Sequence, residues 1–474
     1  MYPPSPQSPP SRGGEDLNPT CSTDYIKNKH CTRRNLIAKS VGDVNNHFQV
    51  KNALRILIPF ATVISILITA TSAFSQEGKK PSDPNGIDWS IFPFAGASTD
   101  IGVSFGAIGS VAKLDKDYTP YRWRGQFEFC MSVKDGDSGV MLPFHYDFVR
   151  FDFPDLAGGK LRLFANGMFY LNSIYGYFGM GNNSPVHAVI PSPNPDTQKQ
   201  HQYYLTQYIA ELLGQMKLGK GWHALGVVRL KYNTPSVYDG SALSTDMGQQ
   251  DPHAGPLVRG VYNHGVIQFG AGMQYNSRDK EEGPNSGMLH ELSVRYSPGI
   301  FAGTTLDFGG VTADLRFYHP FIKQYLVLAV RLFGDVLFGA PPLEELGYAG
   351  AFNTYEMIGG SFGIRGVPLG RFYGKAKAMG SLELRSMFFG FRLWQWKLLL
   401  GMVAFVDTGR VWADLQSTPS LDGNGLGLKY GVGGGPRLQV GEAFTIRCDI
   451  AYSPNAGDAG GWPIGVYVQI GHMF

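Results

Sequence analysis

The chain offers few residues able to carry covalent chemistry. Gly359-x-Ser361-x-Gly363 has the spacing of a hydrolase nucleophile elbow, but that device needs a strand, a sharp turn and a helix, then an acid and a histidine in order. No helical period follows it. The run Gly431 to Gly435 has the glycine density of a phosphate cradle, yet neither a Lys-Ser/Thr pair nor a helix accompanies it. A glycine-rich strand lying close against another segment explains it better. His145, His290 and His319 show no metal-ligand spacing. Of the 4 cysteines, Cys21 and Cys31 precede an export signal, and Cys130 and Cys448 fall on expected strands that are not neighbours, so no disulfide is expected. The chain is therefore not expected to be an enzyme, and no metal or cofactor is expected. A net charge of +3 without a Lys/Arg block gives no reason to expect nucleic acid.

The remaining polar residues are arranged by strands. From about residue 87 the dominant pattern is period-two alternation, in stretches separated by Gly, Pro, Asn or Asp clusters. In residues 122–133, Arg122, Arg124, Gln126 and Glu128 take one face, while Trp123, Phe127, Phe129, Met131 and Val133 take the other. Successive side chains of a strand point to opposite sides, so charges face a lumen and rings face lipid. Sixteen such segments are expected, near 89–98, 101–112, 122–133, 139–151, 159–172, 202–217, 221–234, 264–277, 287–298, 308–319, 324–338, 375–390, 395–408, 427–440, 441–453 and 463–474. The expected fold is all-β, a single transmembrane antiparallel barrel of about 16 strands.

Composition agrees. Gly 62, aromatic 13% and charged 17% depart from globular averages toward glycine and rings. If the N-terminus starts in the periplasm, the long connections 173–201, 235–263 and 339–374 all lie outside, the asymmetry of outer-membrane barrels.

The expected domain order is an extension (1–50), a signal peptide (51–76) and the barrel (77–474). Lys51-Asn-Ala-Leu-Arg55 precedes an apolar stretch from Ile56 to Ala70 and a small, weakly polar run to Gln76, which is the layout of a secretory signal. Residues 1–50 are polar and aperiodic, either disordered or untranslated if translation starts at Val50. The expected location is the bacterial outer membrane, with its lipid as the first partner.

The connection after the eleventh expected strand contains Gly359-Gly-Ser-Phe-Gly-Ile-Arg-Gly366, and a later strand carries Phe405-Val-Asp407-Thr-Gly409. A segment folded into a lumen needs close backbone approach, which glycine permits, and a charge-assisted anchor, which a guanidinium supplies. A surface loop with an unrelated arginine is the alternative. The two motifs resemble the Gly-Gly-x-x-x-x-Arg-Gly-aromatic and Phe-x-Asp-x-Gly signatures of the BamA/TamA family of outer-membrane barrels. The resemblance implies a loop after strand 11 folded into the lumen, with Gly359, Gly360 and Gly366 shaping it and Arg365 paired with Asp407. Glu383 has the lumen parity of Lys375 and Lys377 and is a candidate to share the arginine.

Further segments resemble the same family: Arg278-Asp-Lys to Pro284 and Gly287, a turn between central strands, and Tyr175-Gly-Tyr to Gly181-Asn182 after an early strand. Val466, Val468, Ile470 and Phe474 resemble its C-terminal strand signal, read by the barrel assembly machinery, which is the expected partner for this chain's own insertion. Two residues depart from the family pattern: His472 stands where an aromatic or aliphatic residue is usual, and Val367 where an aromatic is. Only a short stretch separates the expected cleavage site from the first strand, so periplasmic POTRA modules are not expected here. The resemblance implies a role in inserting, assembling or translocating outer-membrane or surface proteins, with periplasmic or lipoprotein partners replacing those modules. A passive channel or structural barrel is the alternative.

Overall fold

A computed structural model of the protein describes residues 85–474, apart from 137–138, 185–198, 252–254, 282, 354, 357, 394–395, 441–443 and 456–462. The expected extension and signal peptide lie outside the described residues. Alternating sequence becomes sixteen long antiparallel strands, joined in one sheet with the short strand Gly139–Met141. The first eight are β1 (Ile87–Ser98), β2 (Gly102–Asp115), β3 (Tyr118–Gly136), β4 (Phe144–Leu156), β5 (Leu161–Gly176), β6 (Gln202–Gly219), β7 (Trp222–Val237) and β8 (His264–Asn276). The rest are β9 (Gly287–Ser297), β10 (Phe308–Ile322), β11 (Leu326–Gly339), β12 (Ala376–Leu393), β13 (Trp396–Trp412), β14 (Lys429–Val440), β15 (Phe444–Tyr452) and β16 (Ile464–Ile470). Each pairs with its neighbour in the chain, and β1 also pairs with β16, closing the barrel.

Closure has a physical cause. In hydrocarbon an unpaired backbone N–H or C=O costs several kcal/mol, by order of magnitude, so a sheet that spans a membrane must end on itself. The side chains sort as the alternation requires. On β11, Leu332, Val336 and Phe338 are exposed on the outer face, while Arg331, Asp335 and Leu337 are buried on the inner one. The buried charges pair within the lumen: Arg295 holds Asp335 at 2.7 Å, and Arg331 holds Asp314 at 2.9 Å.

Several strands run further than the alternation suggests, notably β3 to Gly136, β5 to Gly176 and β13 to Trp412. Alternation stops where side chains leave lipid, but ladder hydrogen bonds continue beyond that level. Connections differ by end. Residues 177–201, 238–263 and 340–375 make long connections at one end, while 116–117, 157–160 and 220–221 turn tightly at the other. Cys130 and Cys448 are both buried and free.

Candidate functional site

The connection between β11 and β12 begins with a short helix, α1 (Leu343–Gly347), and then doubles back through Tyr348–Ala349 paired with Tyr355–Glu356. Gly360 and Gly366 adopt left-handed backbones, with φ of 75° and 92°. A side chain at Gly359 would collide with the carbonyl of Pro368, and one at Gly366 would press on the backbone of Ala451 and Tyr452. The glycine-rich β14 serves the same approach from the wall, since a Cβ on Gly431 would strike the carbonyl oxygen of Arg365.

These glycines allow Arg365 to reach three carboxylates. Its Nε donates to Asp407 Oδ2 at 2.7 Å and its Nη2 to Asp407 Oδ1 at 3.0 Å, a bidentate fork. Its Nη1 donates to Glu383 Oε1 at 2.7 Å and to Asp449 Oδ2 at 3.2 Å. The guanidinium also lies 3.3 Å from the centroid of the Phe405 ring. Arg365, Glu383, Asp407 and Asp449 are all 0% exposed. Burial works against the arginine's charge, but Asp407 and Glu383 outweigh it and hold its pKa above the ordinary value. Arg385 pairs with Glu383 at 2.8 Å, and Arg437 and Arg447 flank Asp449.

A second anchor holds the loop to the far wall. Glu345 on α1 takes Lys231 Nζ at 2.6 Å and Gln268 Nε2 at 2.9 Å. Its neighbour Glu344 takes His264 Nε2 at 2.7 Å. Burial raises the Glu345 carboxyl, but Lys231 and Arg295 outweigh it and keep it below the ordinary range. Because the loop ties to β7 and β8 at one end and to β12, β13 and β15 at the other, it crosses the lumen.

The barrel wall itself is uneven. The β12–β13 ladder runs from Ala376 opposite Trp412 to Leu393 opposite Trp396. Among the described residues, the β1–β16 ladder joins only Ala97 to Val468 and Ser98 to Tyr467, extended by the Thr99 N–H to the Val466 carbonyl at 3.1 Å. The folded loop touches both sides of this seam. Gly366 N–H donates to the Tyr467 hydroxyl at 3.1 Å, and Leu369 N–H donates to Asp100 Oδ1 at 3.2 Å in the β1–β2 turn.

The Omp85 superfamily domain matches residues 194–474. The chain belongs to the Omp85 superfamily. Two solved structures share its fold at low identity. BamA from Haemophilus ducreyi lacking POTRA domains 1–3 is 13% identical, with a TM-score of 0.51 over 81% of this chain and 70% of that one. CdiB from Escherichia coli is 11% identical, with a TM-score of 0.51 over 83% of this chain. The chain spans 63% of that CdiB chain. No curated protein matches the sequence. This Omp85 barrel is a protein of the bacterial outer membrane.

Within the Omp85 barrel, Arg365, Asp407 and Glu383 come together with Gly359, Gly360 and Gly366 beside them. Sequence reading missed Asp449, although Arg447 and Asp449 alternate with apolar neighbours on a strand that ends beside the loop. It also missed α1, whose paired glutamates carry no motif. The C-terminal signal is corrected in one respect. Val466, Val468 and Ile470 share one face of β16, but the strand ends at Ile470, and Phe474 does not continue that face. Gly471 turns the chain with φ of 93°, and the Phe474 carbonyl accepts Arg385 Nη2 at 2.8 Å with its ring 5.0 Å from that guanidinium. A buried arginine flanked by aromatic rings draws the terminal residue inward.

Proposed function

We propose that this Omp85 barrel takes part in the insertion, assembly or translocation of outer-membrane or surface proteins, with the β1–β16 seam as its working element. The short ladder between β1 and β16 carries the reading. Among the described residues every other neighbouring pair of the sixteen strands shares a longer register, so parting these two breaks the fewest backbone hydrogen bonds of any opening in the wall. An incoming strand could then pair with an exposed edge before leaving water, avoiding the several kcal/mol per unpaired group that lipid would otherwise impose, by order of magnitude. The loop supports this role. Arg365 ties it to the wall on the β12–β15 side, so Gly366 and Leu369 meet the seam from a fixed base.

The test is a seam lock. Ala97→Cys with Val468→Cys places two thiols on opposed positions. Cys448 must become Ser in the same protein, because it also faces Val468 across β15–β16. The locked barrel is expected to stop supporting its clients, read as their loss from the outer-membrane proteome, with recovery under reductant. Normal client levels with a fully formed disulfide would reject the proposal. A passive channel is the rival, and steady, wide single-channel conductance of the unlocked protein would favour it.

A further inference from the structure

At the seam the two edges of the sheet overlap. On β1 the even-numbered residues face inward, with Ser90, Phe92 and Phe94 opposite Ser110, Ile108 and Gly106, while Ile87, Trp89 and Ile91 are exposed. On β16 the parity is reversed in effect: Tyr467 points into the lumen, so Val466, Val468 and Ile470 face outward. Yet Phe92 and Phe94 line the same cavity as Val468 and Ile470. Val466 is itself buried although Ile450, directly opposite on β15, is 51% exposed. The inner face of β1 therefore looks onto the outer face of β16.

The cavity here, shared with the lumen through Gln126, Met387, Gln439 and Thr445, measures about 1060 Å³, just above the range of about 300–1,000 Å³ for small-molecule sites. It lies at the periplasmic end of the barrel, since Lys280 and Pro284 of the β8–β9 turn border it. Its walls divide by chemistry. Phe92, Phe94, Ile108, Val468 and Ile470 make an apolar side, while Lys280, Arg385 and His472 gather at the other. Arg385 is 4% exposed; its Nε is bound to Glu383 and its Nη2 to the Phe474 oxygen, but neither its Nη1 nor the Nδ1 of His472 has a hydrogen-bond partner among the described residues. A buried guanidinium N–H left without an acceptor is unfavourable, and an anionic oxygen is the strongest acceptor it can find.

We infer that this cleft binds a glycerophospholipid of the periplasmic leaflet, its phosphate beside Lys280 and Arg385 and an acyl chain between β1 and β16. The outer face of β16 is already suited to acyl chains. The short ladder puts the cleft beside the bilayer, and the β8–β9 turn at its border marks the periplasmic side. An extended peptide without an acidic group would fill the apolar side but bring no negative charge to Lys280 and Arg385. The bound lipid would seal the overlap against water while leaving the edges unbonded to each other.

The experiment uses the purified full barrel in detergent, titrated with phosphatidylglycerol and followed by native mass spectrometry. One lipid per chain is expected above the background of the detergent belt. Lys280→Glu should weaken binding about fivefold or more, a surface cation near lipid being worth about 1 kcal/mol. Ser90→Trp, which fills the cavity, should abolish binding in a barrel that still migrates as folded on unheated gels. A wild-type protein without specific lipid, or two folded variants that bind as the wild type does, would overturn the inference. So would inorganic phosphate stabilising the barrel as fully as the lipid. The inference does not depend on the assembly role, because a locked seam that halts client assembly in a lipid-loaded barrel tests only that role.

Discussion

The wall at β12–β13 and the seam at β1–β16 are built from the same kind of strand and held in opposite ways. At β12–β13 the ladder spans the full strands, and the inner face carries Glu383 and Asp407 locked to Arg365, with the Ser381 hydroxyl donating to Asp407. At the seam the register covers Ala97 and Ser98, and inner and outer faces overlap around a cavity. Closure and rigidity are therefore separable in a barrel. One side of the cylinder can be held by dense pairing and buried charge while the other stays close to opening, provided a single segment braces both.

The largest effect should come from removing the brace. Arg365→Ala leaves Asp407, Glu383 and Asp449 buried together without their shared cation, and breaking a buried pair in this way costs about 3–5 kcal/mol. The temperature at which the folded form is lost on unheated-versus-heated gels should fall clearly. An unchanged transition would mean that the loop is held by α1 alone and that the contrast drawn between the two sides is wrong.

A smaller effect is expected at the seam. Thr99→Pro deletes the N–H that donates to the Val466 carbonyl, a bond worth about 0.5–1.5 kcal/mol net. The gel transition should move little, but cysteine crosslinking between Ala97→Cys and Val468→Cys, in the Cys448→Ser background, should slow markedly. Crosslinking at the original rate would show that this hydrogen bond does not govern how often the edges meet.

A further effect is one of pH. Burial pushes the Asp100 carboxyl, in the β1–β2 turn, up to about 6, against the lowering influence of Leu369 N–H and Lys134. Burial, with the charge of Asp100 added, likewise lifts loop residue Glu356 to about 7. A carboxyl whose folded value is raised binds more protons in the folded state than in the unfolded one, so stability falls as pH rises through the window between the two values. The junction of loop and seam should therefore tighten on acidification from pH 7 to pH 5. Asp100→Asn should remove part of that gain, measured as the shift in thermal transition between the two pH values. An equal shift in the variant would detach Asp100 from the seam's stability.

Much of this molecule was legible from residue types alone. Alternation and turn residues are local, and lipid on one side with water on the other imposes a period of two, so all sixteen strands and the placement of the long connections could be read directly. Gly359, Gly360, Gly366, Arg365 and Asp407 were legible through motifs that resemble a family, and the wall fold follows from the same resemblance. Asp449 and the glutamates of α1 were not, because an ordinary acidic residue becomes an anchor only when a distant loop is laid against it. The length of the β1–β16 register, the overlap of its faces and the inward turn after Gly471 also belong to the tertiary structure. They depend on how the first and last strands meet after the other ladders have set the tilt and circumference of the cylinder, and nothing within either strand encodes that meeting.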